Sequence, residues 1–226
     1  MTAWWQQGVI SQSVSANGIP LQPETEDHML TFYHAPRSRS GRIMWLLEEL
    51  GADYTIRYTD IVYGDGSGQR DPGNVHPDGK VPAIRHGGVV VTESQAIALY
   101  LTELLPEAGL GASPGDADRG TYLTWMSWLT GEMEPIYMAK MFGPGLDVRQ
   151  QAVFESVVAR VFDALWDKPY LTGDRFTAVD LMVGGMLIFG RAHTPDNAAL
   201  DDWLARIEAR PARERALAKD AQPVPA

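Results

Sequence analysis

Polar residues follow the first predicted strand, where the chain turns into a predicted helix. The strand is LTFYH (residues 30–34), and the turn after it carries Arg37, Ser38, Arg39 and Ser40. A serine hydroxyl can donate a hydrogen bond to an anion, and a helix N-terminus attracts negative charge. The two arginines would raise the local potential further. The turn therefore suits an anionic group, although either serine would also serve as an ordinary helix N-cap.

A second candidate position lies further along the same half of the chain. Glu93-Ser94 opens another predicted helix, and the dipeptide Val81-Pro82 directly precedes a predicted strand. Amides at a helix start favour an anionic group, so this pair is able to bind a carboxylate. A plain helix start is the alternative interpretation.

Other catalytic and metal signatures are missing or incomplete. The chain has no cysteine, which excludes disulfides, thiolate metal sites and cysteine nucleophiles. The histidines form no pair at i, i+4, so no metal site is predicted. Ser67 lies among glycines, but Asp65 stands where a nucleophile elbow requires glycine. This segment is interpreted as a flexible loop.

Composition narrows the class of protein. The chain has 226 residues, 45% of them apolar and 21% charged, which predicts a globular protein of two modest domains. The formal net charge of −10 argues against binding to nucleic acid or to anionic membranes. The longest apolar run, Leu181 to Gly190, is about half of a membrane span. We expect no partner of either kind.

Residues 1–28 are interpreted as a leader arm that is flexible. They contain no Lys or Arg, so they lack the basic start of a secretory signal and the arginines of a transit peptide. The expected location is therefore the cytoplasm.

Residues 29–106 are predicted to form an α/β domain. Ile43, Leu46, Leu47 and Leu50 recur at helical spacing, and Gly51 marks the end of that helix. A strand at 54–58, a hairpin at 83–92 and a helix near 97–104 follow. The segment 63–80 is rich in glycine and proline, so any helix there must be short and irregular.

The rest of the chain is predicted to be helical. Residues 107–118 are rich in Gly, Pro and Ala and are predicted to be a linker. An all-α domain is expected at 119–219, followed by a tail at 220–226. Thr177 and Asp180 have the spacing of a capping box before an apolar helix.

Three segments in this order resemble the cytosolic-type glutathione S-transferases, of a bacterial-like serine type. They are FYHAPRSRSGRIMWLLEELG, NVHPDGKVPAIRHGGVVVTESQAIALYL and YLTGDRFTAVDLMVGG, and the resemblance covers residues 29 to about 219. It implies a thioredoxin-like N-terminal domain (β-α-β-α-β-β-α) followed by an all-helical C-terminal domain.

The resemblance implies a role for the first turn. Ser38 matches the position of the family's thiol-activating residue, whose hydroxyl donates to the glutathione thiolate. Ser40, Arg39 and Tyr33 are the alternatives for that role. Arg37 and Arg39 depart from the small residues that many serine-type classes carry here, which leaves the class open.

The resemblance also implies a glutathione-binding set. Val81-Pro82 matches a turn with a cis proline, in which the backbone of Val81 holds the cysteinyl part of glutathione. Glu93 and Ser94 match the pair that binds the γ-glutamyl group. Lys80 and His76 are weaker candidates for the glycyl carboxylate. Arg39 and Ser40 complete the expected set.

The electrophile pocket is expected to be lined by the helical domain and the first strand. The candidates are Tyr33, Trp125, Trp128 and Met133, with Met138, Met141 and Phe142 as further ones. Packing in the core is the alternative for each of them.

The implied activity is conjugation of reduced glutathione to hydrophobic electrophiles by a homodimer that needs no metal or cofactor. One alternative is a glutathione-dependent isomerase or lyase that acts on a specific acidic substrate. Another is a binding module of the same fold without catalytic activity.

Overall fold

The computed structural model describes residues 29–222. The predicted leader arm, 1–28, and residues 223–226 of the predicted tail lie outside this range. None of the described helices is both long and apolar enough to cross a membrane.

A four-stranded mixed sheet forms the centre of the N-terminal half, in the order β2-β1-β3-β4. β1 pairs in parallel with β2, whereas β3 is antiparallel to both β1 and β4. The predicted thioredoxin-like layout with a helical remainder is confirmed. The elements are β1 (Thr31–His34), α1 (Gly41–Leu50), β2 (Thr55–Tyr58), β3 (Ala83–His86), β4 (Val89–Thr92) and α2 (Ser94–Leu104).

Helix α1 forms where the apolar spacing predicts it. Ile43, Leu46, Leu47 and Leu50 are buried, and Gly51 ends the helix in the left-handed conformation, with φ of 61°. A glycine adopts this conformation without the steric cost that a side chain would add.

One predicted element differs from the structure. The order β-α-β-α-β-β-α requires a helix between β2 and β3, but residues 59–82 form turns and bends only. Gly66, Gly68 and Gly79 in this segment have positive φ values, which a right-handed helix excludes. The connection is therefore an irregular loop.

The C-terminal half is helical, and a π-helical turn at Leu129–Met133 joins its first two helices. Pro135 would be expected to kink or end this stretch, but the backbone stays helical at Met133 and Glu134, and the π-helical turn directly precedes the proline. The helices are α3 (Arg119–Trp128), α4 (Glu134–Phe142), α5 (Val148–Leu165), α6 (Ala178–Phe189), α7 (Ala198–Glu208) and α8 (Pro211–Asp220).

The predicted capping box begins α6. The Thr177 hydroxyl accepts from the Val179 amide, and the Asp180 carboxylate accepts from the Thr177 amide at 2.9 Å. Asp180 also accepts from the amide of Leu171 at 2.8 Å and from the Trp203 indole N–H at 3.2 Å. Burial raises the pKa of Asp180, and these hydrogen bonds oppose that effect. The pair is a structural feature of the helical core.

Helix α8 returns to the N-terminal half and packs on α1. Glu48 on α1 accepts from the Arg215 Nε at 2.9 Å and from the Tyr54 hydroxyl at 2.7 Å, and it also binds Lys219. Arg210, just before α8, binds Glu49 at 2.6 and 2.7 Å. The last described helix is thus fixed to the α/β domain.

We expect this attachment to weaken in acid. Burial acts to raise the pKa of Glu48, but hydrogen bonds from Lys219, Tyr54 and Arg215 outweigh it and leave the pKa below its ordinary value. A carboxyl whose pKa is lowered on folding stabilises the fold above its unfolded pKa of about 4.3, and this contribution is lost as the pH falls through the folded value. Urea unfolding at pH 7 and pH 3 measures it. Glu48→Gln is expected to lose about 2 kcal/mol at pH 7 and much less at pH 3, and an equal loss at both pH values would contradict the assignment.

Candidate active site

Two adjoining cavities lie between the α/β domain and the helices. The smaller has a volume of about 330 Å³ and the larger about 760 Å³. They form one cleft because they share lining residues: Arg39, Arg42, Lys80, Val81 and Met138.

The start of α2 forms one wall of the smaller cavity. Ser94 is the first residue of the helix and only 6% exposed, and its hydroxyl has no hydrogen-bond partner among the described residues. Glu93 before it adopts a φ of 66°, which is unusual for a residue other than glycine and which residues at binding sites often show. The first amides of α2 have no partner within the helix. This wall is suited to an anion.

Val81 and Pro82 form a neighbouring wall. Their peptide bond is cis, as the resemblance implies. Val81 lines both cavities and stands two residues before β3, while Pro82 is buried beside the smaller one. Lys80 lines both cavities, with a side chain that is 70% exposed and 3.5 Å from Asp78.

Ser38 lines the larger cavity, at the turn before α1. Its Oγ lies 2.7 Å from the Ala35 carbonyl oxygen and 2.6 Å from the Ser40 Oγ, and it accepts from the Ser40 amide at 3.2 Å. The half-buried hydroxyl is therefore held in place at the cavity wall.

Ser40 is fully buried and lines neither cavity. It occupies the N-cap position of α1, yet its side chain makes no capping hydrogen bond. Its Oγ instead lies 2.8 Å from the Nδ1 of His34. Ser40 is therefore placed behind Ser38 and not at the cavity wall.

An ion-pair cluster connects the two halves of the chain beside the cleft. Glu134, at the start of α4, lies 2.5 Å from Arg42 and 3.0 Å from Arg39. Both Glu134 and Arg42 are buried, whereas the Arg39 side chain is 63% exposed. Burial lowers the pKa of Arg42, and Glu134 opposes that effect. Sequence patterns missed this cluster, because a charged side chain at the start of a helix is usually solvated.

The structure places the residues expected to form the electrophile pocket elsewhere. Tyr33, Trp125, Trp128 and Met133 are all buried in the core and line neither cavity. The guanidinium of Arg160 covers both tryptophan rings, at 4.8 and 4.5 Å from their centroids. Their positions agree with the alternative interpretation, in which these residues pack in the core.

The apolar wall of the larger cavity is formed by side chains at the ends of helices. Phe142 ends α4 and is 71% exposed, and Phe189 ends α6 and is 62% exposed. Their ring centroids are 6.2 Å apart. Val62 and Leu217 are further exposed apolar residues on this wall. Phe142 and Met138 were among the further candidates, whereas Phe189, Val62 and Leu217 were missed because the sequence pattern does not show which apolar residues face a cavity.

Two guanidinium groups on the larger cavity have no carboxylate partner within residues 29–222. Arg37 lies on the turn before Ser38, and Arg213 projects from α8 over the Trp45 ring, 5.0 Å from its centroid. Burial lowers the pKa of Arg213. In the same part of the chain, no group of three His, Asp or Glu side chains is arranged to hold a metal ion.

Comparison with known proteins gives consistent matches. Residues 38–104 match the family model of the glutathione S-transferase N-terminal domain. Glutathione S-transferase 3 of Schizosaccharomyces pombe is 30% identical over 155 residues, which span 67% of this chain and 62% of that protein. Glutathione S-transferase GstA of Escherichia coli O157:H7 is 26% identical over 182 residues, which span 77% of this chain and 90% of that protein.

Solved structures agree with these matches. A sphingomonad glutathione S-transferase, solved in complex with glutathione, superposes with a TM-score of 0.70 at 26% identity, covering 85% of this chain and 100% of that one. The shared fold and the matches along the sequence show that the chain belongs to the glutathione S-transferase family.

Proposed function

We propose that this protein conjugates the thiolate of reduced glutathione to hydrophobic electrophiles. The observation that carries the proposal is the cleft, whose smaller and larger parts differ in chemical character. Its smaller part has a helix N-terminus with an unpartnered serine hydroxyl, its larger part has an apolar wall, and Ser38 lines the larger part near their common residues.

Glutathione would bind in the smaller part. Its γ-glutamyl carboxylate would accept from the Ser94 hydroxyl and the first amides of α2, and its ammonium group would face Glu93. The backbone of Val81 would hold the cysteinyl part, which directs the thiol towards Ser38. The complex of the sphingomonad relative with glutathione supports this choice of ligand.

Ser38 would stabilise the thiolate. A free thiol with a pKa near 8.5 is only about 3% ionised at pH 7, and lowering that pKa by about two units requires roughly 2.7 kcal/mol of preferential binding to the thiolate. The Ser38 hydroxyl and the N-terminus of α1, which has no acidic residue in its first turn, are the groups available to supply it.

The electrophile would bind against Phe142 and Phe189 in the larger part. The thiolate attacks its electrophilic carbon, the new C–S bond forms, and a leaving group departs with the bonding electron pair where the substrate carries one. A homodimer, as the resemblance implies, and a location in the cytoplasm complete the proposal.

A glutathione-dependent isomerase or lyase is the second candidate, and one observation favours it. Arg37 and Arg213, which have no carboxylate partner in the described chain, would bind an acidic group on the substrate. Turnover of an unsaturated dicarboxylic acid without net consumption of glutathione would favour this candidate over conjugation.

Titration of reduced glutathione by calorimetry tests the binding site. We expect Ser94→Ala to weaken binding about tenfold, because a charge-assisted hydrogen bond is worth about 1.5 kcal/mol or more. Ser156→Ala, an exposed serine on α5, is the matched control and should bind as the wild type does. Absence of binding by the wild type would favour a binding module for another ligand and would withdraw the enzyme assignment.

A further inference from the structure

We propose that His34, paired with Asp220, receives the proton of the glutathione thiol through the hydroxyls of Ser40 and Ser38. The inference rests on the proposed function, since it requires a thiol beside Ser38. His34 touches no substrate and would act through the two serines, so it is a positioning residue.

The four side chains form a continuous series. The Ser38 Oγ is 2.6 Å from the Ser40 Oγ, and the Ser40 Oγ is 2.8 Å from the Nδ1 of His34. On the other side of the ring, the Nε2 of His34 is 3.2 Å from the Oδ1 of Asp220. Only Ser38 and Asp220 of the four line the larger cavity. The series therefore runs from the cavity wall through the protein interior.

The middle of this series is buried, and two of its polar atoms depend on each other. His34 and Ser40 are fully buried, and the Asp220 side chain is 23% exposed. The Nε2 of His34 and the Oδ1 of Asp220 each lack a hydrogen-bond partner of good geometry among the described residues, although the two atoms lie 3.2 Å apart. A buried polar atom without a partner is costly, so each of these two atoms is best satisfied by the other. An Nε2 proton facing the carboxylate leaves Nδ1 free to accept.

The backbone leaves space for this pair. Gly41 lies beside Asp220, and a Cβ at that position would be 3.3 Å from Oδ1. The amide of Arg37 points at the other carboxylate oxygen, Oδ2, at 3.5 Å. The Ala35 carbonyl oxygen, 2.7 Å from the Ser38 Oγ and 3.2 Å from the Ser40 Oγ, is an alternative acceptor for both hydroxyls and keeps them side by side.

The proton transfer balances without any further reactant. The thiol proton passes to the Ser38 Oγ, the Ser38 proton passes to the Ser40 Oγ, and the Ser40 proton passes to the Nδ1 of His34. The S–H bond breaks, an N–H bond forms, and both hydroxyls remain neutral. After the transfer, Ser38 donates to the thiolate and Ser40 donates to Ser38, while the imidazolium donates to Ser40 and faces Asp220.

Two side chains face the His34 ring, which carries the proton after this transfer. Asp220 is the carboxylate that faces it, and the Tyr58 ring on β2 meets the imidazole edge to face with centroids 5.6 Å apart. Burial and Asp220 raise the pKa of Tyr58, so the phenol stays neutral. Tyr63 near the first turn and Arg213 on α8 also interact electrostatically with Asp220, and the backbone amide of Arg37 faces its Oδ2.

The test is a pH titration of bound glutathione, followed by the ultraviolet absorbance of its thiolate. His34→Gln keeps a hydrogen-bonding group beside Ser40 but cannot take the proton, and Asp220→Asn keeps the shape of the carboxylate without its charge. Both variants are expected to raise the apparent pKa of the bound thiol by at least about one unit. From a starting value about two units below 8.5, this is about a threefold fall in thiolate at pH 7. At pH 5, where bound glutathione keeps its thiol proton in every variant, the Kd should stay unchanged, because the start of α2 is untouched.

Asp220→Asn decides the question if His34→Gln does not fold, because Asp220 is partly exposed at the end of a helix. Asp202→Asn, an exposed aspartate on α7, is the matched control. An unchanged thiol pKa in folded Asp220→Asn would overturn the proposal. Ser38→Ala distinguishes the role of His34 from the role of Ser38 in the proposed function. If Ser38→Ala raises the thiol pKa and the other two variants do not, only the role of His34 fails. If it does not raise the thiol pKa, the serine-dependent mechanism of the proposed function fails as well.

Discussion

Replacing Ser38 by alanine is expected to lower kcat/KM for an aryl halide about twentyfold at pH 7. The variant loses the hydroxyl that donates to the thiolate, so the thiol returns towards its solution pKa and the ionised fraction falls from most of the glutathione to about 3%. At pH 9 a free thiol is mostly ionised, so the defect should shrink to less than about twofold. A pH profile of chlorodinitrobenzene conjugation measures both values.

Ser67→Ala is the matched control for this experiment. Ser67 is exposed in the loop between β2 and β3, and within the described residues its hydroxyl bonds only to Asp65. A Ser38→Ala defect that is equally large at pH 7 and pH 9 would indicate a damaged site instead of a lost thiolate donor. Ser94→Ala should behave differently, because it raises the KM for glutathione without moving the profile.

Replacing Glu134 by alanine is expected to have the largest effect on stability, about 3 to 5 kcal/mol. The change leaves the Arg42 guanidinium buried without its carboxylate, and the Nε of Arg42 already lacks a hydrogen-bond partner in the described chain. Urea unfolding monitored by tryptophan fluorescence measures the loss. Arg39 is mostly exposed and should contribute little to it.

Glu132→Ala removes an exposed carboxylate from the neighbouring π-helical turn and serves as the control, with an expected change below about 0.5 kcal/mol. The double variant Glu134→Leu/Arg42→Met should recover much of the lost stability, because an apolar pair of similar volume replaces a buried ion pair at little cost. If the double variant does not recover stability, the effect of Glu134→Ala comes from lost packing and not from the unpaired Arg42.

Local sequence patterns predicted those parts of the fold whose signals lie within a few residues of one another. The apolar spacing of α1, the hairpin at 83–92 and the Thr177 capping box depend on neighbours in the sequence, and the structure contains all three. The expected helix between β2 and β3 came from the resemblance, whereas the structure has no helix at 59–82 and several glycines there adopt positive φ values.

The site was less predictable because its parts come from distant segments. An aromatic residue that packs in the core and one that faces a cavity have the same spacing along a helix. Spacing therefore could not distinguish Trp125, which is buried, from Phe142, which lines the larger cavity. His34 carried a weak signal, as the last residue of a buried strand shortly before two serines. Nothing near His34 in the sequence indicates Asp220, because only the packing of α8 on α1 brings the two together.

The return of α8 to the α/β domain affects how this protein can be recombined with its relatives. Consider a chimera in which residues 29–106 of this protein replace the N-terminal domain of a relative. It would contain β1 and α1 of this protein but the last helix of the relative. His34 would then lack Asp220, and Glu48 would lack Arg215 and Lys219. The segment to transfer in a domain exchange is therefore discontinuous: the N-terminal domain together with residues 210–220.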